Sequence, residues 1–251
     1  MYNKEMIKDY IMLNNNVSVA EICEKFDMSE STVRRILVKL EDRKIIKRYH
    51  GGAYPLVGNY NPESMDARIS RNWDKKIAIA KSASSFVEEG STVILFGGTT
   101  VYAMCRYLKG KKLTVITNSL IAFSELMSEK NMKIILLGGL FNQAEYELGG
   151  VITNSGMRNI RADYMFMGAY GFDIKQGYTT RDIDSLELYQ TCIVSSNKVF
   201  VVTDSSKYKA GGTAVTAKHE DVHCLITDDG IDSEFLAAMS NRLKIVVVGK
   251  D

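Results

Sequence analysis

From residue 91 onward, short continuous apolar runs alternate along the chain with segments in which apolar residues recur at helical spacing. Such runs are typical of strands buried on both faces, and the periodic segments between them predict amphipathic helices. The predicted strands are Thr92–Phe96, Leu113–Thr117, Lys133–Leu137, Tyr164–Met167, Val199–Thr203, Val222–Thr227 and Lys244–Val248. Because strands and helices alternate, we expect an α/β domain with a mostly parallel sheet.

The helices predicted around these strands are Asn72–Val87, Thr99–Leu108, Leu120–Lys130, about Ser185–Ser196, and Ser233–Arg242. The polar segment Thr216–Asp221 is expected to be a surface loop.

The first part of the chain has a different pattern. A helical segment over Asn3–Asn14 is followed by two short amphipathic segments and a loosely alternating ribbon over Ile45–Gly52. Ser18 and Glu21 have the spacing of a capping box, and Ser29 is expected to cap the next helix through its hydroxyl. The apolar stripe of that helix consists of Val33, Ile36, Leu37 and Leu40. This order of elements predicts a small winged helix-turn-helix domain.

The distribution of charge indicates what this domain binds. Residues 30–50 contain seven Lys/Arg and three Asp/Glu, a net charge of +4, whereas positive and negative residues balance over 57–251. A polyanion would therefore dock on the second amphipathic helix and the wing. The residues predicted to contact DNA are Ser29, Ser31, Thr32, Arg34, Arg35, Lys39, Lys47, Arg48, His50 and Gly51. The alternative is a three-helix domain whose basic face is only solvated.

Turn residues and both prolines of the protein lie between Pro55 and Pro62, which predicts a linker. We expect a winged helix-turn-helix domain over residues 1–56, a linker over 57–73 and a second domain over 74–251. No apolar run approaches the roughly 20 residues of a membrane helix, and the N-terminus does not have the form of a signal peptide. With cysteines in apolar surroundings, these features predict a cytoplasmic protein that does not bind membranes.

Several predicted strands of the second domain end in loops of similar chemistry. Gly97–Thr100, Asn118–Ser119, Gly138–Gly139, Gly168–Asp173 and Asp204–Lys207 each follow a strand. The carboxyl ends of parallel strands meet at one sheet edge, where glycine amides, hydroxyls and a lysine suit a small phosphorylated molecule. Taken singly, each loop is better explained as an ordinary cap or turn, and it is the occurrence of five at one sheet edge that favours binding.

These motifs resemble the DeoR family of bacterial transcription regulators. The winged helix matches through Ser29-Glu-Ser-Thr-Val-Arg-Arg-Ile-Leu and the ending His50-Gly51-Gly52-Ala53, and the second domain through GGTT, TNS, LLGG, GAYGFD and DSSK in order. The resemblance covers essentially the whole chain. It implies a sensor domain that is similar to ribose-5-phosphate isomerase and binds phosphorylated sugars. Ile36 and Phe96 depart from the family, which commonly has acidic residues at both positions.

The resemblance also implies an effector site. Phosphate donors would be Gly98, Thr99, Thr100, Asn118 and Ser119, with Lys207 as the counter-charge, and the carboxylates reading sugar hydroxyls would be Asp173 and Glu187. Thr117, Gly138 and Gly139 complete the predicted effector-binding residues. The expected protein is a repressor of sugar-metabolism genes whose affinity for operator DNA changes with a phosphorylated sugar. We also expect a homo-oligomer, a dimer or larger, because two-fold symmetry usually doubles the DNA site.

An enzyme and a scaffold are the rival hypotheses. A sugar-phosphate isomerase needs a general base and a cation for the enediolate, and Asp173 and Glu187 are candidate carboxylates. However, Gln176-Gly177-Tyr178 stands where such enzymes carry a lysine in a glycine-rich loop. A structural role is the preferred interpretation of His219 and His223 over metal binding. No catalytic residue, metal or cofactor is predicted, and a pure scaffold is disfavoured only by the loop chemistry.

Overall fold

The computed structural model describes residues 4–14, 17–43, 45–49, 51–55 and 65–249. The chain divides into two compact units, residues 1–71 and 72–251. The division falls inside the segment predicted as a linker, although Met65–Ser70 within that segment is helical. Among the described residues, no helix has both the length and the apolar character required to cross a bilayer.

The first unit is built from short helices and a small antiparallel sheet. Its elements are α1 (Lys4–Asn14), β1 (Val17–Ser18), α2 (Val19–Phe26), α3 (Glu30–Asp42), β2 (Ile46–Tyr49), β3 (Gly52–Pro55) and α4 (Met65–Ser70). The sheet order is β1-β3-β2, so β2 and β3 form the predicted wing and β1 extends it. This confirms a helix-turn-helix followed by a wing.

The local signals at the start of α2 act as the sequence predicts. The Ser18 hydroxyl accepts a hydrogen bond from the Glu21 amide at 3.1 Å, and the Ser18 amide donates to the Glu21 carboxylate at 2.6 Å. The buried face of α3 consists of Val33, Leu37 and Leu40. These residues pack with Ile7, Ile11, Ile22 and Phe26 into one core. Ile36 is only partly buried at its edge.

One cap prediction is wrong. Ser29 is the N-cap residue of α3, but its side chain makes no capping hydrogen bond among the described residues. Its hydroxyl instead lies 3.1 Å from that of Ser31 and 2.9 Å from that of Thr32. Two neighbouring hydroxyls compete with the helix amides for the same oxygen, which spacing alone does not reveal.

The second unit contains a seven-stranded parallel sheet in the order β15-β14-β12-β9-β4-β5-β6. Its strands are β4 (Thr92–Leu95), β5 (Leu113–Thr117), β6 (Met132–Leu136), β9 (Ala162–Met167), β12 (Ser196–Val202), β14 (Cys224–Asp228) and β15 (Lys244–Val248). All the strands predicted from continuous apolar runs are therefore present, with ends shifted by a few residues. The predicted α/β fold class, a winged helix followed by a mostly parallel sheet, is confirmed.

Helices cover both faces of this sheet. They are α5 (Trp73–Ser84), α6 (Thr99–Leu108), α7 (Leu120–Leu126), α8 (Val151–Met157), α9 (Leu186–Val194) and α10 (Ser233–Met239). Val93 and Leu95 of β4 pack in the core with α5, α6 and α7, whereas the intervening Ile94 packs in the core with α8, α9 and α10. This alternation is why the strands are apolar on both faces.

The strand order creates a switch point at the centre of the sheet. From β4 the chain winds outward through β5 and β6, then returns to β9 beside β4 and winds the other way through β12, β14 and β15. The loops after β4 and β9 therefore diverge and leave a crevice at the carboxyl edge. Gly98 and Gly168 face each other there, and a Cβ built on Gly98 would lie 3.7 Å from the Gly168 Cα.

Short antiparallel strands were missed by the sequence pattern. They are β7 (Leu140–Asn142), β8 (Glu147–Gly149), β10 (Gly171–Asp173), β11 (Gly177–Thr180) and β13 (Ala214–Ala217). β7 and β8 form a hairpin, and β10, β11 and β13 form a small separate sheet. Strands of three or four residues hold too few positions to show a period of two.

The expectation of a surface loop over Thr216–Asp221 is wrong. Thr216 and His219 are buried, in β13 and in a following short helical turn. The Thr216 hydroxyl donates to the Tyr178 carbonyl at 3.1 Å, and His219 Nε2 donates to the Asp173 carbonyl at 2.9 Å. These bonds satisfy the Thr216 hydroxyl and one of the two ring nitrogens of His219, which allows both side chains to be buried.

Candidate functional site

The exposed face of α3 carries most of the predicted DNA contacts. Arg35 and Lys39 are exposed, and Arg34 is held by an ion pair with Glu30 one turn earlier at 2.5 Å. Ile36 lies at the edge of the core, and the carboxylate that pairs with Arg34 is that of Glu30. A basic helix face with one oriented arginine can contact phosphates and base edges.

The wing is attached to α3 through a residue that the sequence did not single out. The Glu41 carboxylate accepts hydrogen bonds from Arg48 Nε at 2.6 Å and from the Arg48 amide at 3.1 Å, and Lys47 Nζ lies at 3.6 Å. Burial opposes ionisation of Glu41, but the bonds from Arg48 outweigh it and lower the pKa of the carboxyl. Glu41 therefore fixes the wing relative to α3.

Glycine closes the wing. Gly51 has a φ of 103°, a conformation that other residues rarely adopt. A Cβ on Gly52 would lie 2.5 Å from the Val17 carbonyl oxygen. His50, also predicted to contact DNA, lies outside the described residues.

At the carboxyl edge of the large sheet, α6 begins directly at the switch point. Gly98 is its N-cap residue with a φ of 117°, and Thr99 and Thr100 form its first turn. The Tyr102 amide donates to the Gly98 carbonyl at 2.9 Å, so the amides before it have no partner within the helix. This helix start is suited to bind an anion.

The loop after β5 is buried rather than open, because the β7–β8 hairpin covers it. Thr117, Asn118 and Ser119 are all nearly fully buried. The Thr117 hydroxyl donates to the Leu95 carbonyl at 2.7 Å, and the Ser119 hydroxyl caps α7 by accepting from the Ala122 amide. The Asn118 side-chain amide donates to the Leu148 carbonyl at 3.2 Å, whereas its oxygen is buried and accepts no hydrogen bond from the residues that the structure describes.

The hairpin also brings in Glu147, a carboxylate absent from the sequence prediction. Glu147 accepts a hydrogen bond from the Asn118 amide at 3.1 Å. A Cβ on Gly97 would overlap the other Glu147 carboxylate oxygen, so this oxygen rests directly on Gly97. The chain has Phe96 rather than an acid at the end of β4. The carboxylate of Glu147 lies instead against Gly97, the residue that follows.

Two cations meet at the end of β9. Arg181 lies 4.2 Å and Lys207 lies 5.4 Å from the centroid of the Tyr170 ring. Lys207 was predicted from the sequence, but Arg181 was not, because it follows β11 of the small sheet. Cations stack favourably on an aromatic face, and Tyr170 thereby brings both of them to the loop that follows β9.

The remaining predicted residues have structural contacts. Asp173 accepts hydrogen bonds from the Lys175 and Gln176 amides at 2.7 and 2.6 Å, and so shapes the β10–β11 turn. Glu187 accepts from the Asn154 side chain at 2.7 Å. The carbonyl of Gly138 accepts from the Thr153 hydroxyl at 2.6 Å, and Gly139 has a φ of 155°. Roles for these four residues in binding an effector stay predictions.

The loop after β12 is held by Asp228 at the end of β14. Asp228 accepts hydrogen bonds from the Ser205 amide at 2.6 Å, the Ser205 hydroxyl at 2.8 Å and Lys75 Nζ at 2.6 Å. Burial alone would raise the pKa of this carboxyl, but these bonds prevail and lower it. Asp228 therefore favours its ionised form although its side chain is buried, and its hydrogen bonds fix the loop that carries Lys207.

Comparisons with known proteins agree with this architecture. Residues 4–55 match the family model described as the DeoR-like helix-turn-helix domain, and residues 71–229 match the DeoR C terminal sensor domain. The HTH-type transcriptional regulator GolR of Listeria innocua is 36% identical over 87% of each chain. The HTH-type transcriptional repressor GlcR of Bacillus subtilis is 28% identical over 100% of this chain and 98% of its own.

Among solved structures, ribose 5-phosphate isomerase A from Methanocaldococcus jannaschii has a TM-score of 0.41 and 19% identity, with 55% of each chain covered.

We expect the Lys75→Met variant to lose stability in a pH-dependent way. The Asp228 side chain is 3% exposed and that of Lys75 is 26% exposed. Leaving such a carboxylate unpaired costs about 3 kcal/mol at neutral pH, the lower end of the range for buried pairs. Since the folded-state pKa of Asp228 is lowered, its stabilisation is complete above the unfolded value of about 3.9 and is lost as the pH falls through the folded value.

The measurement is urea unfolding at pH 7 and at a pH well below the unfolded value of about 3.9, followed through Trp73, the single tryptophan. The difference between Lys75→Met and the unaltered protein should shrink at the lower pH. Lys81→Met, at the other end of α5, is the matched control and should change little. An equal loss at both pH values would show that the charge on Asp228 is not the cause.

Proposed function

Because the chain belongs to the DeoR family of transcriptional regulators, we propose that it represses sugar-metabolism genes under the control of a phosphorylated sugar. The first unit binds operator DNA, and the second unit binds the effector at the switch point between β4 and β9. The observation that carries the effector assignment is the approach of Arg181 and Lys207 to one ring, that of Tyr170, which lies two residues after Gly168 in the loop that follows β9. This supports an anionic ligand.

For DNA, the support comes from α3 and the wing. Arg35 and Lys39 are exposed on α3, and Glu41 holds Arg48 and Lys47 of the wing close to the end of the same helix. A recognition helix in the major groove with a basic wing on the backbone fits this surface. As a DNA-bound regulator the protein would act in the cytoplasm.

For the effector, the carboxyl edge offers two kinds of group. The free amides of α6, with Lys207 and Arg181, suit a phosphate group, which gains charge-assisted hydrogen bonds from such donors. Glu147 and the unpaired Asn118 oxygen are acceptors that suit sugar hydroxyls. A phosphorylated, hydroxyl-rich molecule uses both sets, whereas a free sugar or inorganic phosphate uses only one.

We further propose that the protein is at least a dimer through its second unit. Leu140 and Phe141 of the hairpin and Val151 and Ile152 of α8 are large apolar residues that are half or more exposed. Neighbouring exposed apolar side chains of this size are typical of surfaces that bind another protein. A second winged helix would double the DNA site.

The Arg35→Ala variant tests the DNA-binding surface. It should weaken operator binding by about 1–3 kcal/mol if the guanidinium makes a bidentate base contact. Lys47→Ala should instead weaken binding to all sequences alike and reduce the slope of log affinity against log salt by about 1. Fluorescence anisotropy of labelled DNA measures both, with Arg242→Ala in the second unit as the control. Unchanged operator affinity in folded Arg35→Ala would remove this assignment.

The effector proposal is tested with a panel of pentose, hexose and triose phosphates, their unphosphorylated parents and inorganic phosphate. A phosphorylated sugar should raise the melting temperature and change operator affinity, while its parent at equal concentration should not. The parent lacks charge-assisted hydrogen bonds of about 1.5–3 kcal/mol each.

Lys207→Ala should abolish the response and leave operator binding without effector near normal. Lys209→Ala, an exposed lysine on the same loop, is the matched control because Lys209 pairs with Glu234 instead. Equal responses to a sugar and its phosphate would contradict the proposed function.

A further inference from the structure

The second unit begins at a residue with an unusual backbone conformation. Asn72 is the first residue of that unit, and it has a φ of 56° and a ψ of 36°, in the left-handed region. Its carbonyl accepts the Lys76 amide at 3.0 Å, so Asn72 starts α5. Asparagine tolerates this conformation better than most residues, but it remains uncommon outside glycine. The chain therefore makes a defined turn where the DNA-binding unit ends.

The side chain of Asn72 bonds to the loop after β12, which carries Lys207. Its amide donates to the Asp204 carboxylate at 2.9 Å and to the Ser206 hydroxyl at 3.2 Å. The same Asp204 oxygen accepts the Ser206 amide at 3.1 Å and the Ser206 hydroxyl. Asp204 is 2% exposed. Asn72 is thus bonded to the buried cap of the short turn Ser205–Lys207, which carries Lys207.

Lys75, one turn further along α5, makes a second connection to this loop. Its ammonium donates to the Asp228 carboxylate at 2.6 Å and to the Ser205 hydroxyl at 3.1 Å. The ammonium also lies close to Gly230, where a built Cβ would be 3.0 Å from Lys75 Nζ and 2.6 Å from the Ser205 hydroxyl. The turn cannot shift without moving the start of α5 or breaking these bonds.

We propose that Asn72 and Lys75 are positioning residues that couple effector binding at Lys207 to the DNA-binding unit. We call their bonds to Asp204, Ser205, Ser206 and Asp228 the latch. When the effector binds Lys207, the turn that carries this residue moves, together with Asp204 and Asp228, which accept its hydrogen bonds. The latch transmits this movement to residue 72, where the second unit begins. The inference rests on the proposed function, because it concerns how the same effector site is read out.

Coupling of this kind has a distinctive signature. A residue of the binding site changes the affinity for its own ligand, whereas a coupling residue changes how much one ligand alters the affinity for the other. A merely structural residue changes stability and moves neither quantity selectively. The test therefore compares three affinities in each variant: the effector alone, the operator alone, and the operator with saturating effector.

Asn72→Gly is the principal variant, because glycine keeps the left-handed backbone and removes only the side-chain bonds. Lys75→Met is the second, with Lys75→Arg as the conservative variant expected to restore coupling. Lys81→Met is the matched control on the same helix. The probes are the tightest-binding sugar phosphate of the panel above and a duplex DNA fragment selected by the unaltered protein from genomic DNA.

In the unaltered protein and in Lys81→Met, the sugar phosphate should change operator affinity by at least about fivefold, the lower end of typical allosteric coupling. In Asn72→Gly the change should fall below about twofold, while the separate affinities for sugar phosphate and operator stay within about threefold. An undiminished response in folded Asn72→Gly and Lys75→Met would overturn the latch and leave the proposed function standing. If no compound of the panel binds the unaltered protein, the proposed function fails and the latch with it.

Discussion

The switch point between β4 and β9 is the constraint on which the rest of the second unit depends. Because the two strands are neighbours and the chain leaves them in opposite directions, their loops part and open a crevice. Gly98 and Gly168 meet at its floor, and Gly98 has a φ of 117°, a backbone conformation that residues with a side chain rarely adopt. The start of α6, the β5 loop and the loop with Lys207 all reach this edge because the sheet is parallel throughout.

Charged side chains of both signs lie on the loops at this edge of the sheet. Arg181 and Lys207 share a contact with Tyr170 after β9, and Glu147 lies against Gly97 after β4. The proposed ligand, with an anionic end and a hydroxyl-rich end, would use both kinds of group. The buried Asp204 and Asp228 connect the loop that carries Lys207 to the start of α5. This loop is therefore fixed to the first residues of the second unit in the sequence.

The parallel strands were predictable because each is a continuous apolar run, and the recognition helix because its stripe has a helical period. Glu147, Arg181 and the pairing of Lys75 with Asp228 were not, since each depends on contacts between residues far apart in sequence. Very short strands also hid the β7–β8 hairpin, which is why Asn118 and Ser119 were predicted as open donors and are in fact buried. The cap at Ser29 was mispredicted for a local reason, because its hydroxyl bonds to the neighbouring hydroxyls of Ser31 and Thr32 rather than to a helix amide.

The most direct test of this account is the position of a bound sugar phosphate in a crystal structure of the complex. The account places the phosphate within hydrogen-bonding distance of the Thr99 and Thr100 amides and Lys207, with sugar hydroxyls facing Glu147. A phosphate found at the opposite edge of the sheet, in the pocket lined by His223, Arg242 and Lys244, would contradict it.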